Sequence, residues 1–152
     1  MLGQDPAWYV KEDGCLDINK VLDAYIEFYK EHSELVTKRK TYTEAAHDLL
    51  FITWLQRVVN GGGIISREFA AGLGRLELCI DCRGERFAFA MKLNFPKALE
   101  RGRKQLADYL DRLSLDSGWL IIFSRGEITD WQAVGRREQI GEQGKQIEVI
   151  YL

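Results

Sequence analysis

An acid and a lysine sit in two neighbouring alternating runs, and their spacing is the chemistry this chain offers first. In Arg75-Leu76-Glu77-Leu78-Cys79-Ile80-Asp81, the residues Leu76, Leu78 and Ile80 share one face and Arg75, Glu77, Cys79 and Asp81 the other, the period of two that marks a half-buried strand. Arg86-Phe87-Ala88-Phe89-Ala90-Met91-Lys92-Leu93 repeats the pattern, with Phe87, Phe89, Met91 and Leu93 on one side and Ala90 and Lys92 on the other. The Cys82-Arg83-Gly84-Glu85 connection is short enough to make the pair an antiparallel hairpin. A carboxylate at Glu77 and an ammonium at Lys92 are thereby expected on adjacent strands. Farther on, Gln105 and Tyr109 lie four apart, which stacks them on one face of a helix.

A carboxylate can serve as an oxygen ligand to a hard divalent cation, which lowers the pKa of bound water. Asp81 shares the polar face with Glu77, but four strand residues separate their Cα atoms by roughly 13 Å, too far to share one ion. Thr41-Tyr42-Thr43-Glu44 reads as a helix capping box, which gives Glu44 a structural role. Cys79-x-x-Cys82 invites zinc, which needs about four ligands, and Cys15, His32 and His47 form no matching second pair. No serine, histidine and aspartate set has a recognisable context.

The elements that must hold these groups are legible in order. Ile18, Val21, Leu22, Tyr25, Phe28, Tyr29 and His32 recur at three-and-four spacing, an amphipathic helix from Asp17 to about Ser33 with Asp17 as N-cap. A second, strongly apolar helix is predicted from Thr41 to Asn60-Gly61, with Ala46, Leu50, Trp54 and Val58 in one stripe and Phe51, Leu55 and Val59 in another. Gly61-Gly62-Gly63 lacks the Lys-Ser/Thr of a phosphate loop and reads as a reversal into a first strand, Ile64 to Ala70. After the hairpin, Pro96 is placed in the first turn of a helix running from Lys97 to Leu113, with Ala98, Leu99, Leu106, Leu110 and Leu113 inward. Gly118 to Phe123 is a continuous apolar run, a strand covered on both sides and reached by a crossover. Arg125 to Gly144 is expected to form loops, and Gln146 to Leu152 a last, peripheral strand.

The order helix, three strands, helix, strand, with Gly72-Leu73-Gly74-Arg75-Leu76-Glu77-Leu78, Ala90-Met91-Lys92 and Gln105-x-x-x-Tyr109 in sequence, resembles the PD-(D/E)XK nuclease superfamily. The nearest likeness is to the nuclease-like domains at the C-terminal end of some AAA-type ATPases. That resemblance implies an α/β fold of mixed α+β sheet type, with a restriction-endonuclease-like core and an extra N-terminal helix. It implies one domain over 1–152, with 1–40 a lead-in and N-terminal helix, 41–124 the core, and 125–152 C-terminal loops and strand. In such domains two acids bind Mg²⁺ and the lysine orients or activates the attacking water. The implied catalytic set is Lys92, Glu77, Gln105 and Tyr109, with Glu77, Glu44 and the Met91 backbone carbonyl as metal ligands.

Two positions depart from the family pattern: Glu77 stands for the usual Asp, and Ala90 stands where the second motif carries its acid. The chain is therefore expected to be a nuclease relative that is inactive or strongly weakened. The alternatives are a live Mg²⁺-dependent deoxyribonuclease that recruits Glu44, and a non-enzymatic module that binds DNA or protein. Arg75, Arg101, Arg103 and Lys104 are the candidate phosphate contacts. DNA is the expected partner, with an AAA-type ATPase and a second copy of the chain as further candidates; no Walker sequence is present, so a stand-alone or excised domain is expected.

Composition bounds this reading. With 152 residues, 46% hydrophobic and 29% charged, the chain suffices for one domain with a sizeable core. Net charge is −2, which excludes a generally polycationic nucleic-acid binder. The charge is uneven, however: from Arg67 to Arg112 ten Lys/Arg face seven Asp/Glu, so a local basic face is expected. Three cysteines are too few and odd for a disulfide framework. No apolar run long enough to span a bilayer exists and the N-terminus lacks a signal-peptide layout, so a cytoplasmic protein with no membrane partner is expected.

Overall fold

In the computed structural model the described residues are 17–32, 51–55, 64–70, 75–82, 85–94, 96–123 and 134–152. Among them are a helix α1 (Ile18–His32), a helical stretch at residues 51–55, strands β1 (Ile64–Ala70), β2 (Arg75–Cys82) and β3 (Glu85–Leu93), a helix α2 (Ala98–Arg112), and strands β4 (Ser117–Phe123), β5 (Arg136–Glu142) and β6 (Lys145–Tyr151). The strands form one mixed sheet in the order β1-β2-β3-β4-β6-β5. β2 runs antiparallel to both β1 and β3, β4 runs parallel to β3 and to β6, and β5 closes the far edge antiparallel to β6. The architecture is thus α+β, with helices on both faces of a mixed sheet.

The two faces are two cores. Leu78, Ile80, Phe87, Phe89, Met91, Leu93, Ile121, Phe123 and Ile150 point to the side covered by α1 and residues 51–55. Cys79, Ala88, Ala90, Leu120, Ile122, Ile147 and Val149 point to the side covered by α2. This is the alternation expected for β2 and β3, and it explains the continuous apolar run of β4: Leu120 to Phe123 are all buried because each face has its own helix layer. Burying such side chains stabilises by about 1.5–3 kcal/mol each before chain entropy is set against it. A chain of rings joins the first layer to the sheet: Tyr25 to Phe51 at 4.7 Å, Phe51 to Phe89 at 5.7 Å, and Phe89 stacked on Trp119 at 5.2 Å.

Local chemistry sets the ends of the helices. The Asp17 carboxylate accepts from the Lys20 N–H at 3.3 Å, an N-cap that satisfies one unpaired donor of the first turn. α2 begins one residue later than expected, at Ala98. Lys97 is its cap residue, in a left-handed conformation (φ 65°) with no side-chain cap, so Pro96 lies in the turn before the helix and not within it. α2 ends in a Schellman motif: the Leu115 N–H donates to the Leu110 carbonyl at 2.8 Å and the Ser114 N–H to that of Asp111 at 3.1 Å. Ser114 occupies the left-handed position at φ 59°, where glycine is the usual residue.

The C-terminal region differs most from expectation. Residues 136–142, expected as loop, are strand β5, and β6 is an interior strand between β4 and β5. The reason is a tight hairpin: Glu142 pairs with Lys145, and Gln143 (φ 52°) and Gly144 (φ 80°) both take positive φ, as a two-residue turn matched to strand twist demands. Arg137 then ties this hairpin to α1, donating to Asp23 and to Glu148, each at 2.7 Å. No helix among the described residues is long and apolar enough to cross a membrane.

Candidate active-site face

Glu77 lies directly opposite Ala90 across the β2–β3 ladder. Lys92 is two residues farther along β3, so strand alternation returns its side chain to the face that Ala90 occupies. The acid and the lysine therefore stand on one side of the sheet as diagonal neighbours, a relation that spaces Cα atoms by about 7–8 Å. That side is the one α2 covers.

Four α2 residues meet this patch: Gly102, Gln105, Tyr109 and Arg112, at successive spacings of three, four and three, fall along one helical stripe. Gln105 Oε1 accepts from Lys92 Nζ at 3.2 Å. Arg112 Nη2 donates to Glu77 Oε2 at 3.0 Å. Tyr109 is 2% exposed, belongs to the same buried cluster as Ala90 and Cys79, and lies under the Arg112 guanidinium, 5.4 Å from ring centroid to Cζ. Gly102 lets the helix come this close. A Cβ there would lie 2.9 Å from Leu120 Cδ1 and 3.2 Å from Lys92 Cδ, so the missing side chain is what admits the lysine stem between helix and sheet.

The electrostatics are those of a mostly closed patch with one open end. Glu77 is 3% exposed and Ala90 3%, whereas Lys92 and Gln105 are half-buried and the Arg112 side chain is 55% exposed. A carboxylate held this far from water must be paired, and Arg112 supplies the opposite charge from the last turn of α2, where a cation also complements the helix dipole. Because the guanidinium reaches solvent, the pair is worth less than a fully buried one, about 1–3 kcal/mol. Nearby, burial raises the Cys79 thiol above its ordinary value; the Arg86 charge opposes that shift and the Asp81 charge adds to it.

The residues named from sequence fall into four groups. Glu77, Ala90, Lys92, Gln105 and Tyr109 are brought together on the α2 face. Met91 is fully buried with its side chain on the opposite face, and its backbone is in register with Leu76 on one side and Ile121 on the other. The Arg75 backbone opens β2, but its side chain, like all of Glu44, lies outside the described residues. On α2, Arg101 and Lys104 are exposed and Arg103 half-buried. Lys104 pairs with Glu100 at 3.6 Å and Arg103 with Glu142 of β5 at 2.8 Å.

Arg112 and Gly102 were missed from sequence. The signal for Gly102 was present, since a glycine inside a helical pattern costs about 1 kcal/mol and usually has a packing reason. Arg112 gave none, because only the docking of α2 shows which of its basic residues meets Glu77.

Mg²⁺, implied by the resemblance, is poorly served by these donors. Among the described side chains facing the patch, the carboxylate is that of Glu77, it is engaged by a guanidinium, and Ala90 contributes no ligand. No group of three or more His, Cys, Asp or Glu side chains suited to a metal occurs among the described residues. Compared with protein-family models, with curated proteins and with solved structures, the sequence and its fold find no match.

Proposed function

We propose that this chain is a PD-(D/E)XK-type, restriction-endonuclease-like domain related to Mg²⁺-dependent deoxyribonucleases, which binds DNA and has little or no cleavage activity as written. The observation that carries the proposal is the gathering of Glu77, Lys92, Gln105 and Tyr109 on one sheet face under α2. The sheet order β1-β2-β3-β4, antiparallel through β3 and parallel at β4, supports the same reading. In it, Lys92 is the group that positions a phosphate or water, Gln105 holds its ammonium, and Glu77 is the remaining acid of a site that has lost its second at Ala90. Arg101, Arg103 and Lys104, all on α2, are the proposed phosphate contacts.

The test is binding and cleavage measured side by side. A short fluorescein-labelled duplex should bind with an affinity that falls steeply with salt and weakens when Arg101, Arg103 and Lys104 are replaced together. Supercoiled and linear DNA should survive incubation in Mg²⁺ or Mn²⁺. Cleavage by the unaltered chain that disappears in Glu77→Ala would overturn the inactive assignment, and indifference to DNA would remove the nucleic-acid partner.

A further inference from the structure

The mismatch between the donor set and a divalent ion has a positive counterpart in Arg112. We propose that Arg112 is the resident cation of this face: its guanidinium supplies Glu77 with the positive charge that a metal ion would otherwise bring, so the domain holds its acid without Mg²⁺. The proposal builds on the assignment of this face as a former metal site.

Three observations converge on it. Arg112 Nη2 lies 3.0 Å from Glu77 Oε2, a charge-assisted hydrogen bond on a buried acid. Glu77 is so nearly excluded from water that a cation must accompany it in any folded state in which it is ionised. The guanidinium is also fixed from both ends, by the Tyr109 ring 5.4 Å away and by its place in the last turn of α2, one residue before the capped helix end. A planar, permanently charged group suits this post better than an ammonium, since it can stack on the ring while donating in its own plane. A divalent ion binding Glu77 Oε2 would have to displace that donor, and Ala90, opposite on β3, would offer it no carboxylate in return.

Arg112 is on this account a positioning residue, and its test is a stability cycle with a metal arm. Arg112→Met, which keeps the stem over Tyr109 but removes the charge, should lower Tm at neutral pH by about 4–8 °C. In a Glu77→Gln background the same change should cost less than half as much, because the buried charge that the guanidinium offsets is gone. Millimolar Mn²⁺ should leave the wild-type Tm where it is. Equal losses in both backgrounds, or a Glu77-dependent rise in wild-type Tm with Mn²⁺, overturns the proposal. Failure of the parent assignment shows elsewhere: an Ala90→Glu/Arg112→Met variant should gain Mn²⁺-dependent stabilisation if the face descends from a metal site, and its absence there counts against that descent while the cycle still judges Arg112.

Discussion

Substituting Gly102 by alanine sets two effects of known size against each other. In an exposed helix the change is favourable by about 0.8–1 kcal/mol, since alanine loses less backbone entropy on folding. Here the added Cβ would stand 2.9 Å from Leu120 Cδ1, 3.1 Å from Leu120 Cδ2 and 3.2 Å from Lys92 Cδ. Leu120 is fully buried, between α2 and the interior of the sheet, and cannot swing aside into solvent, so relief must come from moving the helix or straining rotamers. Overpacking of that kind costs about 1–3 kcal/mol. The balance is a net loss of about 0–2 kcal/mol, or up to about 8 °C in Tm for a domain of this size. Gly102→Val, which retains the clash and adds two carbons of low helix propensity, should lose more, at least about 5 °C. Differential scanning fluorimetry of both variants beside wild type decides it. A Gly102→Ala protein whose Tm rises by about 2–4 °C, the bare helix-propensity gain, would refute the close approach of α2 to Lys92 on which the site geometry depends.

Other outcomes follow from the same structure. Ser114→Gly should raise Tm by about 2–4 °C, because it relieves a left-handed serine at the Schellman position; a fall would show that the motif does not end α2. Arg137→Met removes bonds to both Asp23 and Glu148 and should cost about 1 kcal/mol, read as a lowered urea midpoint with unchanged slope; no shift would dissociate α1 from the β5–β6 hairpin. In a Cys15→Ser/Cys82→Ser variant, the buried Cys79, its thiol raised mainly by burial, should alkylate more than about tenfold slower than a free thiol at about pH 8 until urea unfolds the chain. Equal rates would place it at the surface. Burial also raises Tyr29, and burial with the Glu138 hydrogen bond raises Tyr151. For all three groups the unfolded chain loses its proton first as pH climbs past the ordinary values of 9.0 and 10.0, so the native state then binds more protons and stability falls. Denaturation midpoints should therefore drop between about pH 8 and pH 11, and a flat profile would contradict the burial of these groups.

Much of the fold could be read from the chain where a short period met a strong boundary. Alternation assigned residues 77–81 and 87–93 to the correct faces, because a slip of one residue would have moved Leu78, Ile80, Phe87 and Phe89 together to the α2 face and Glu77 into the other core. α1 was legible for a similar reason: its apolar stripe and Asp17 cap agree. The β5–β6 hairpin was not, since Arg136-Arg137-Glu138-Gln139 offers no apolar alternation and an edge strand half in water needs none. Its one clue was Gln143-Gly144, a turn dipeptide outside the strongest hairpin signals. Of the site, the strand residues were accessible from period alone. What α2 brings to them was accessible only in part, because Gln105 and Tyr109 sit on a stripe that sequence spacing predicts, whereas the reach of Arg112 to Glu77 depends on how the helix is docked. Lys92 and Glu77 thus have separate helix-borne partners, at opposite ends of that stripe.

The central claim is that a nuclease-like face here binds DNA while Arg112, not a divalent ion, attends its acid. Fluorescence anisotropy of the labelled duplex in EDTA and again in Mg²⁺, with the same samples run on a gel for cleavage, tests it most directly. The expected result is salt-sensitive binding that needs no Mg²⁺, with the DNA intact in both buffers. Cleavage that requires Mg²⁺ and is lost in Glu77→Ala would contradict it.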